Sequence, residues 1–346
     1  MMRMDRLHPH PLPSPRQLEQ GMLHWLHSLP GPVWLTLPGS TDKPARVVVT
    51  LLHGNEPSGL KGLWRWWHES PRPAQTCHFA IINVEAALAE GGFVHRYLPG
   101  QWDLNRGFGE HGDLAHQRLA RDLLQHIQAA RPEAVVDLHN TSGSGPSFAV
   151  ATENWAQHRA LAGLFTERLL ITEVRLGALM EMTTRHSPII TIECGGAVDP
   201  QSDEVAYQGL RRFLETESVL EEQQGDWQLD LLTRPIRVRL NHGSTIHYGE
   251  TPCEEADITL PPDIERLNFG WVQPEEPLGW LGSKGLDALN LSDGEQQLAA
   301  SELFVQQDNR LHLACGSKLF MITTNARIAA SDCLFYAVRS PSASDG

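Results

Sequence analysis

The chain has no CxxC pair, no apolar run of 18 residues and no surplus of basic charge. Each absence removes a class of function. Its five cysteines, Cys77, Cys194, Cys253, Cys315 and Cys333, are odd in number and widely scattered, which argues against a disulfide framework or a thiolate zinc site and suits reduced, mostly buried thiols. Without a long apolar run no segment is expected to cross a membrane. Only 28 Lys and Arg stand against 42 Asp and Glu, for a formal net charge of −14, so the clustered cations that neutralise phosphates are missing and nucleic acid is not an expected partner. The opening MMRMDRLHPHPLPSPRQ has arginines near its start, but prolines and histidines follow where a secretory signal needs an apolar stretch, and a cytoplasmic location is expected. Internal repeats are absent, and low complexity is confined to the final SPSASDG.

With 346 residues, 41% of them hydrophobic, the chain is long enough for two domains. Ser14-Pro15 opens a helix on Leu18, Met22, Leu23 and Leu26 that Pro30-Gly31 stops, and VWLTLPG follows as a strand. From Ala45 strands and helices alternate: VVVTLL, a helix from Pro57, HFAIINV, a helix from about Asp113 to Ala130, AVVDLHN, a helix over ENWAQHRALAGLFTERLL, PIITIECGG, and a helix from about Asp203 to Gln223. Such alternation predicts an α/β fold with a parallel or mixed sheet flanked by helices. Beyond Gly225 the short runs IRVRLN, STIHYG, DITLP and KLFMITT, separated by Gly, Pro and Asp turns, predict a smaller all-β domain. The expected plan is residues 1–44 joining an α/β domain of residues 45–225, a β domain of residues 226–340, and a polar tail of residues 341–346.

In open α/β sheets the ligand site lies beyond the carboxyl ends of the strands. Three predicted strands end in suitable side chains: His53 with Glu56, His139 followed by Asn140, which is a candidate substrate contact, and Glu193. Two histidines and one carboxylate leave a coordination position open for water, the pattern of a catalytic zinc. His8 and His10, in the proline-rich opening, read as solvated, and Trp64, Trp66 and Trp67 as a helix packing face with one partly exposed ring.

Four motifs occur in a familiar order: HGNE at His53 to Glu56, DLNRGF at Asp103 to Phe108, DLHNT at Asp137 to Thr141, and IECGG at Ile192 to Gly196. Together they resemble the succinylglutamate desuccinylase/aspartoacylase family, a branch of the zinc carboxypeptidase-like hydrolases, over roughly Ala45 to Gln223. The resemblance implies a zinc-carboxypeptidase-like mixed sheet and one Zn2+ per chain held by His53, Glu56 and His139. It implies Glu193 as general base and acid, and Arg96 polarising the scissile carbonyl. It also implies that Asn105 and Arg106 receive a substrate carboxylate, with Arg185 similar to a second carboxylate-binding arginine. The chain departs from the pattern in a segment between Arg96 and Asn105 that is two residues longer. It departs again at Glu181, where aspartoacylases carry tyrosine: an acidic side chain there would repel a second carboxylate and suits an ammonium group or a sugar hydroxyl.

The function these features imply is zinc-dependent hydrolysis of an amide bond in a small N-acylated amino acid or related acylated amine. A metallocarboxypeptidase acting on peptides and a metal-binding regulatory protein without turnover are the alternatives. The oligomeric state is not legible in the sequence.

Overall fold

The computed structural model describes residues 5–109, 112–221, 229–294, 296–331 and 333–340. The expected boundary at residues 225–226, the expected helix end at Gln223 and the tail of residues 341–346 lie outside them. The chain divides into two compact units, one of Met1–Thr141, Ser147–Ile171 and Arg175–Leu231, the other of Ser142–Pro146, Thr172–Val174 and Leu232–Gly346.

The first unit follows the order β1 (His8–Pro9), α1 (Pro15–Gln20), α2 (Met22–Ser28), β2 (Val33–Leu37), β3 (Arg46–Thr50), α3 (Ser58–His68), β4 (Cys77–Ile81), α4 (Val84–Leu88), α5 (Ala115–Ala130), β5 (Ala134–Thr141), β6 (Phe148–Ala151), α6 (Ala156–Gly163), β7 (Arg168–Ile171), β8 (Ile189–Gly196) and α7 (Pro200–Glu215), and β9 (Asp230–Thr233) starts at its last residues. The nine strands make one mixed sheet in the order β1-β2-β4-β3-β5-β8-β6-β7-β9. Its centre, β4-β3-β5-β8, is parallel, whereas β2 and β6 run antiparallel to their inner neighbours. Val47, Val48 and Val49 are fully buried, as a strand covered on both faces requires, each worth roughly 1.5–3 kcal/mol in removed apolar surface. Two apolar clusters fill the unit, one gathering Val48, Leu60, Trp66 and Phe213, the other Val47, Val49, Leu123 and Ile127.

Three expected helices are shorter than their patterns suggest. The first is split at Gly21, whose φ of 98° a helix interior cannot hold. The helix expected over Glu153 to Leu170 stops at Gly163, because Leu169 and Leu170, both buried, join β7 beside β6, and a short apolar run suits either element until a strand edge is available. The helix expected to reach Gln223 ends at Glu215. There the fully buried Arg46 takes the carbonyls of Phe213, Thr216 and Glu217 at 2.5, 2.7 and 3.3 Å, acceptors a helix end leaves without partners.

In the second unit, among the described residues, a six-stranded and a five-stranded sheet share a core of Val238, Ile258, Leu291, Leu319 and Phe335. Ile236–Leu240 pairs antiparallel with both Leu289–Asp293 and Phe335–Arg339. The unit is not entirely β, since Ala326–Ser331 is helical.

Candidate metal centre and active site

β3, β5 and β8 lie side by side, so their carboxyl ends deliver His53, His139 and Glu193 to one edge of the sheet. The turn after β3 is conformationally demanding. Leu51, fully buried, has φ 55°, in the left-handed region that favours glycine, and the chain then turns through Leu52 to His53. Gly54 answers a different constraint: a Cβ there would stand 2.6 Å from both Ala86 Cβ and the Ala87 backbone nitrogen. That close approach is the physical reason for glycine in HGNE.

Glu56 sits between the two imidazoles. Its Oε2 lies 2.7 Å from His139 Nδ1, and its Oε1 lies 3.0 Å from His53 Nδ1. The far nitrogens point to carboxylates, His53 Nε2 to Asp103 Oδ1 at 2.9 Å and His139 Nε2 to Asp137 Oδ2 at 2.8 Å. Both nitrogens of His139 face carboxylates, so Nδ1 donates to Glu56 Oε2 and Nε2 donates to Asp137 Oδ2; a metal held beside Glu56 would take the place of the Nδ1 proton while the outer carboxylate keeps the ring aimed. His53 Nδ1 is buried and forms no hydrogen bond despite its distance from Glu56. The ligand atoms of His53, Glu56 and His139 all lie within 4.8 Å of one another, and this buried group could hold a metal ion.

The electrostatics favour a cation. Burial would raise the Glu56 carboxyl, yet the two imidazoles beside it hold it well below the usual carboxylate range. Burial works against a charge on His139, but Asp137 and Glu56 raise its pKa well above the ordinary histidine value. Asp103 is likewise held low against burial, by His53, Arg96 and Arg106. Glu193 behaves oppositely: it stands opposite His139 in the β5–β8 register, and burial pushes its carboxyl up to about 7, with His139 opposing and Glu56 adding to the rise. Its Oε2 is buried without a hydrogen-bond partner.

The other expected residues fall into two groups. Arg96 joins the cluster, donating from Nη1 to Glu56 Oε1 at 3.0 Å and from Nε and Nη2 to Asp103 Oδ2 at 3.2 and 3.0 Å. Burial disfavours its charge, and Glu56 and Asp103 outweigh that and raise its pKa. Asn105 and Arg106 occupy the 3₁₀ turn Leu104–Arg106 that follows Asp103 directly. Asn105 Oδ1 accepts the Leu179 N–H at 2.9 Å, and Arg106 Nη1 donates to the Asn105 carbonyl at 2.8 Å.

Glu181, Arg185 and Asn140 are employed elsewhere. The Glu181 carboxylate accepts the N–H groups of Leu176, Gly177 and Ala178 at 2.7, 3.2 and 3.0 Å, which closes the turn that holds Asn105. Three backbone donors thus converge on the carboxylate expected to receive an ammonium group or a hydroxyl. Arg185 is exposed, with its guanidinium 4.6 Å from the centre of the Trp155 ring. Asn140 is buried, and its amide is bonded to Ser58 and Gly195.

Asp103 and Asp137 stand inside the sequence motifs DLNRGF and DLHNT, which by themselves assign neither a role. For Asp137 a signal existed: D-x-H on a strand puts both side chains on one face. Asp103 lies 50 residues from His53, and no local pattern links them.

Residues 43–214 match the model of the succinylglutamate desuccinylase/aspartoacylase catalytic domain. These residues carry the catalytic domain of this family. Its members are desuccinylase- and aspartoacylase-type hydrolases, which supports a deacylating enzyme acting on a small molecule. Solved structures agree on the fold. A succinylglutamate desuccinylase from Chromobacterium violaceum is 15% identical, with 91% of each chain covered and a TM-score of 0.55. The product-bound ectoine utilization protein EutE (DoeB) from Ruegeria pomeroyi is 18% identical, covering 90% of this chain and 95% of that one, with a TM-score of 0.55. A putative family member from Shewanella frigidimarina is 13% identical, covering 89% and 92%, with a TM-score of 0.58. No curated protein matches the chain in sequence. No helix among the described residues is long and apolar enough to cross a membrane.

Proposed function

We propose that the protein is a zinc-dependent amidohydrolase that removes the acyl group from a small N-acylated amino acid or related acylated amine. The observation that carries this is the placement of Glu193, half-buried with one buried and unpartnered carboxylate oxygen, opposite His139 in register and so beside the His53–Glu56–His139 group. A metal ligand set and a separate carboxylate at one strand edge are what hydrolysis needs and what a storage or structural site does not.

The donor set fits zinc: two imidazoles and one carboxylate, each imidazole backed by an acid. Zinc, when bound there by His53, Glu56 and His139, supplies Lewis-acid polarisation of an acyl oxygen and activation of a water. Glu193 then takes the water proton at its unpartnered Oε2 and returns it to the leaving amine. Arg96, anchored by Glu56 and Asp103, places a fixed positive charge where a developing oxyanion needs one. Asn105 and Arg106 receive the substrate carboxylate, the guanidinium offering a two-pronged donor to it. Arg185, on the surface against Trp155, is assigned a peripheral carboxylate contact.

The test is metal content by plasma mass spectrometry for the wild type and a His53→Ala variant, followed by an amine-release screen over N-acylated amino acids. About one zinc per chain, lost in the variant, with amine released only by the wild type, supports the assignment and names the acyl group. A zinc-replete wild type that holds no stoichiometric metal overturns it.

A further inference from the structure

The β5–β8 ladder slips at the site. Register runs in step from Val135 opposite Ile189 to His139 opposite Glu193, but Thr141 then pairs with Gly196. One residue of β5, Asn140, therefore faces two of β8, Cys194 and Gly195. This is a bulge, and Gly195 with φ 112° supplies the backbone conformation it needs. The ladder cannot satisfy every backbone group across such a slip, and the Asn140 side chain takes over: its Nδ2 donates to the Gly195 carbonyl at 3.0 Å.

The same amide reaches α3. Pro57 precedes this helix and offers no side-chain cap, so the Ser58 N–H has no local acceptor. Asn140 Oδ1 accepts it at 3.1 Å, and Asn140 Nδ2 donates to Ser58 Oγ at 2.9 Å. Ser58 Oγ in turn donates to Asp203 Oδ1 at 2.7 Å, and Lys61 Nζ donates to Asp203 Oδ2 at 2.9 Å. The direction of every bond is forced. A carbonyl at Gly195 demands the NH2 side of the amide, an N–H at Ser58 demands its oxygen, and the Asp203 carboxylate demands the serine proton. Both N–H groups of Asn140 are consumed, and the residue is only 4% exposed.

We propose that Asn140 is a positioning residue that clamps the two ligand-bearing segments and the strand that carries Glu193 together and makes no contact with substrate, with Ser58 and Asp203 completing the clamp. It is adjacent in the chain to His139, Ser58 is two residues beyond Glu56, and Gly195 is two residues beyond Glu193. One amide thus sets the spacing of two metal ligands and the base. The inference rests on the metal-site reading above.

The test compares the wild type with Asn140→Asp, which keeps the shape and the Ser58 N–H acceptor but loses both donors, and with Ser58→Ala and Asp203→Asn as milder breaks in the same chain. Zinc affinity, read by competition with a chromophoric chelator, is expected to fall about 10–100-fold for Asn140→Asp. On an N-acylated amino acid found by the amine-release screen, kcat is expected to fall at least ~10-fold with KM unchanged, the pattern of a displaced catalytic group. In the metal-free protein, amide hydrogen exchange at residues 195–197 and 58–60 is expected to quicken in all three variants. A raised KM with zinc affinity and exchange unchanged would make Asn140 a substrate contact and overturn the proposal. If Asn140→Asp does not fold, unchanged exchange and kcat in Ser58→Ala and Asp203→Asn overturn it equally. A wild type without zinc refutes the metal reading by itself, and the metal-free exchange then decides the clamp.

Discussion

Asp137 and His139 share one face of β5, and the Asp137 carboxylate accepts the His139 Nε2–H at 2.8 Å, so the strand supplies both a ligand and the group that aims it. Asp137 is itself fully buried. A buried carboxylate persists only when something positive or donating meets it, and here that partner is the imidazole.

Asp137→Asn keeps the shape and removes the charge. Zinc affinity is expected to fall about 10–100-fold, measured by chelator competition at fixed pH. Wild-type affinity in the variant would show that packing alone orients His139.

Glu193→Gln removes the proton acceptor without changing volume. On the substrate identified by the amine-release screen, kcat should drop roughly 10²–10⁴-fold while zinc content and KM stay near wild type. Loss of zinc would instead place Glu193 among the ligands.

Arg46 is fully buried, lies 2.5 Å from Glu133 through Nε, and holds the end of α7 through three carbonyls. Arg46→Leu leaves Glu133 without its partner and those carbonyls without donors, and should lower the unfolding free energy by about 3–5 kcal/mol in urea titrations. A loss below about 1 kcal/mol would mean that water reaches and replaces the clasp.

His158 is buried, with Nδ1 2.7 Å from the Glu153 carbonyl and Nε2 3.0 Å from Thr183 Oγ1. The carbonyl can only accept, so Nδ1 carries the proton and Nε2 accepts the threonine hydroxyl. Burial lowers the imidazole pKa below its ordinary value of 6.5. The unfolded chain therefore takes up a proton that the folded chain refuses. The resulting stability is complete above about pH 6.5 and is lost as pH falls from there through the lowered folded value. His158→Gln should flatten the pH dependence of the melting temperature between about pH 7 and 5. A slope identical to wild type would assign acid sensitivity elsewhere.

The sequence by itself determined the layered α/β plan, because apolar periodicity and turn residues act over a few residues each. It also determined the family, because HGNE, DLNRGF, DLHNT and IECGG are local strings. His53, Glu56, His139 and Glu193 were legible as polar residues where buried strands stop. Tertiary structure decided everything that depends on two distant segments meeting. The β6 edge turned the expected helix end at Leu169 and Leu170 into a strand, and Arg46, about 170 residues away in the chain, ended α7 early. Asp103 came to rest behind His53, three backbone N–H groups claimed Glu181, and the β5–β8 bulge turned the Asn140 amide inward to Ser58 and Gly195. The physical reason is common to all of these. A residue type states which bonds a side chain can make, whereas the partner it makes them with is set by packing and by the need to satisfy every buried polar group.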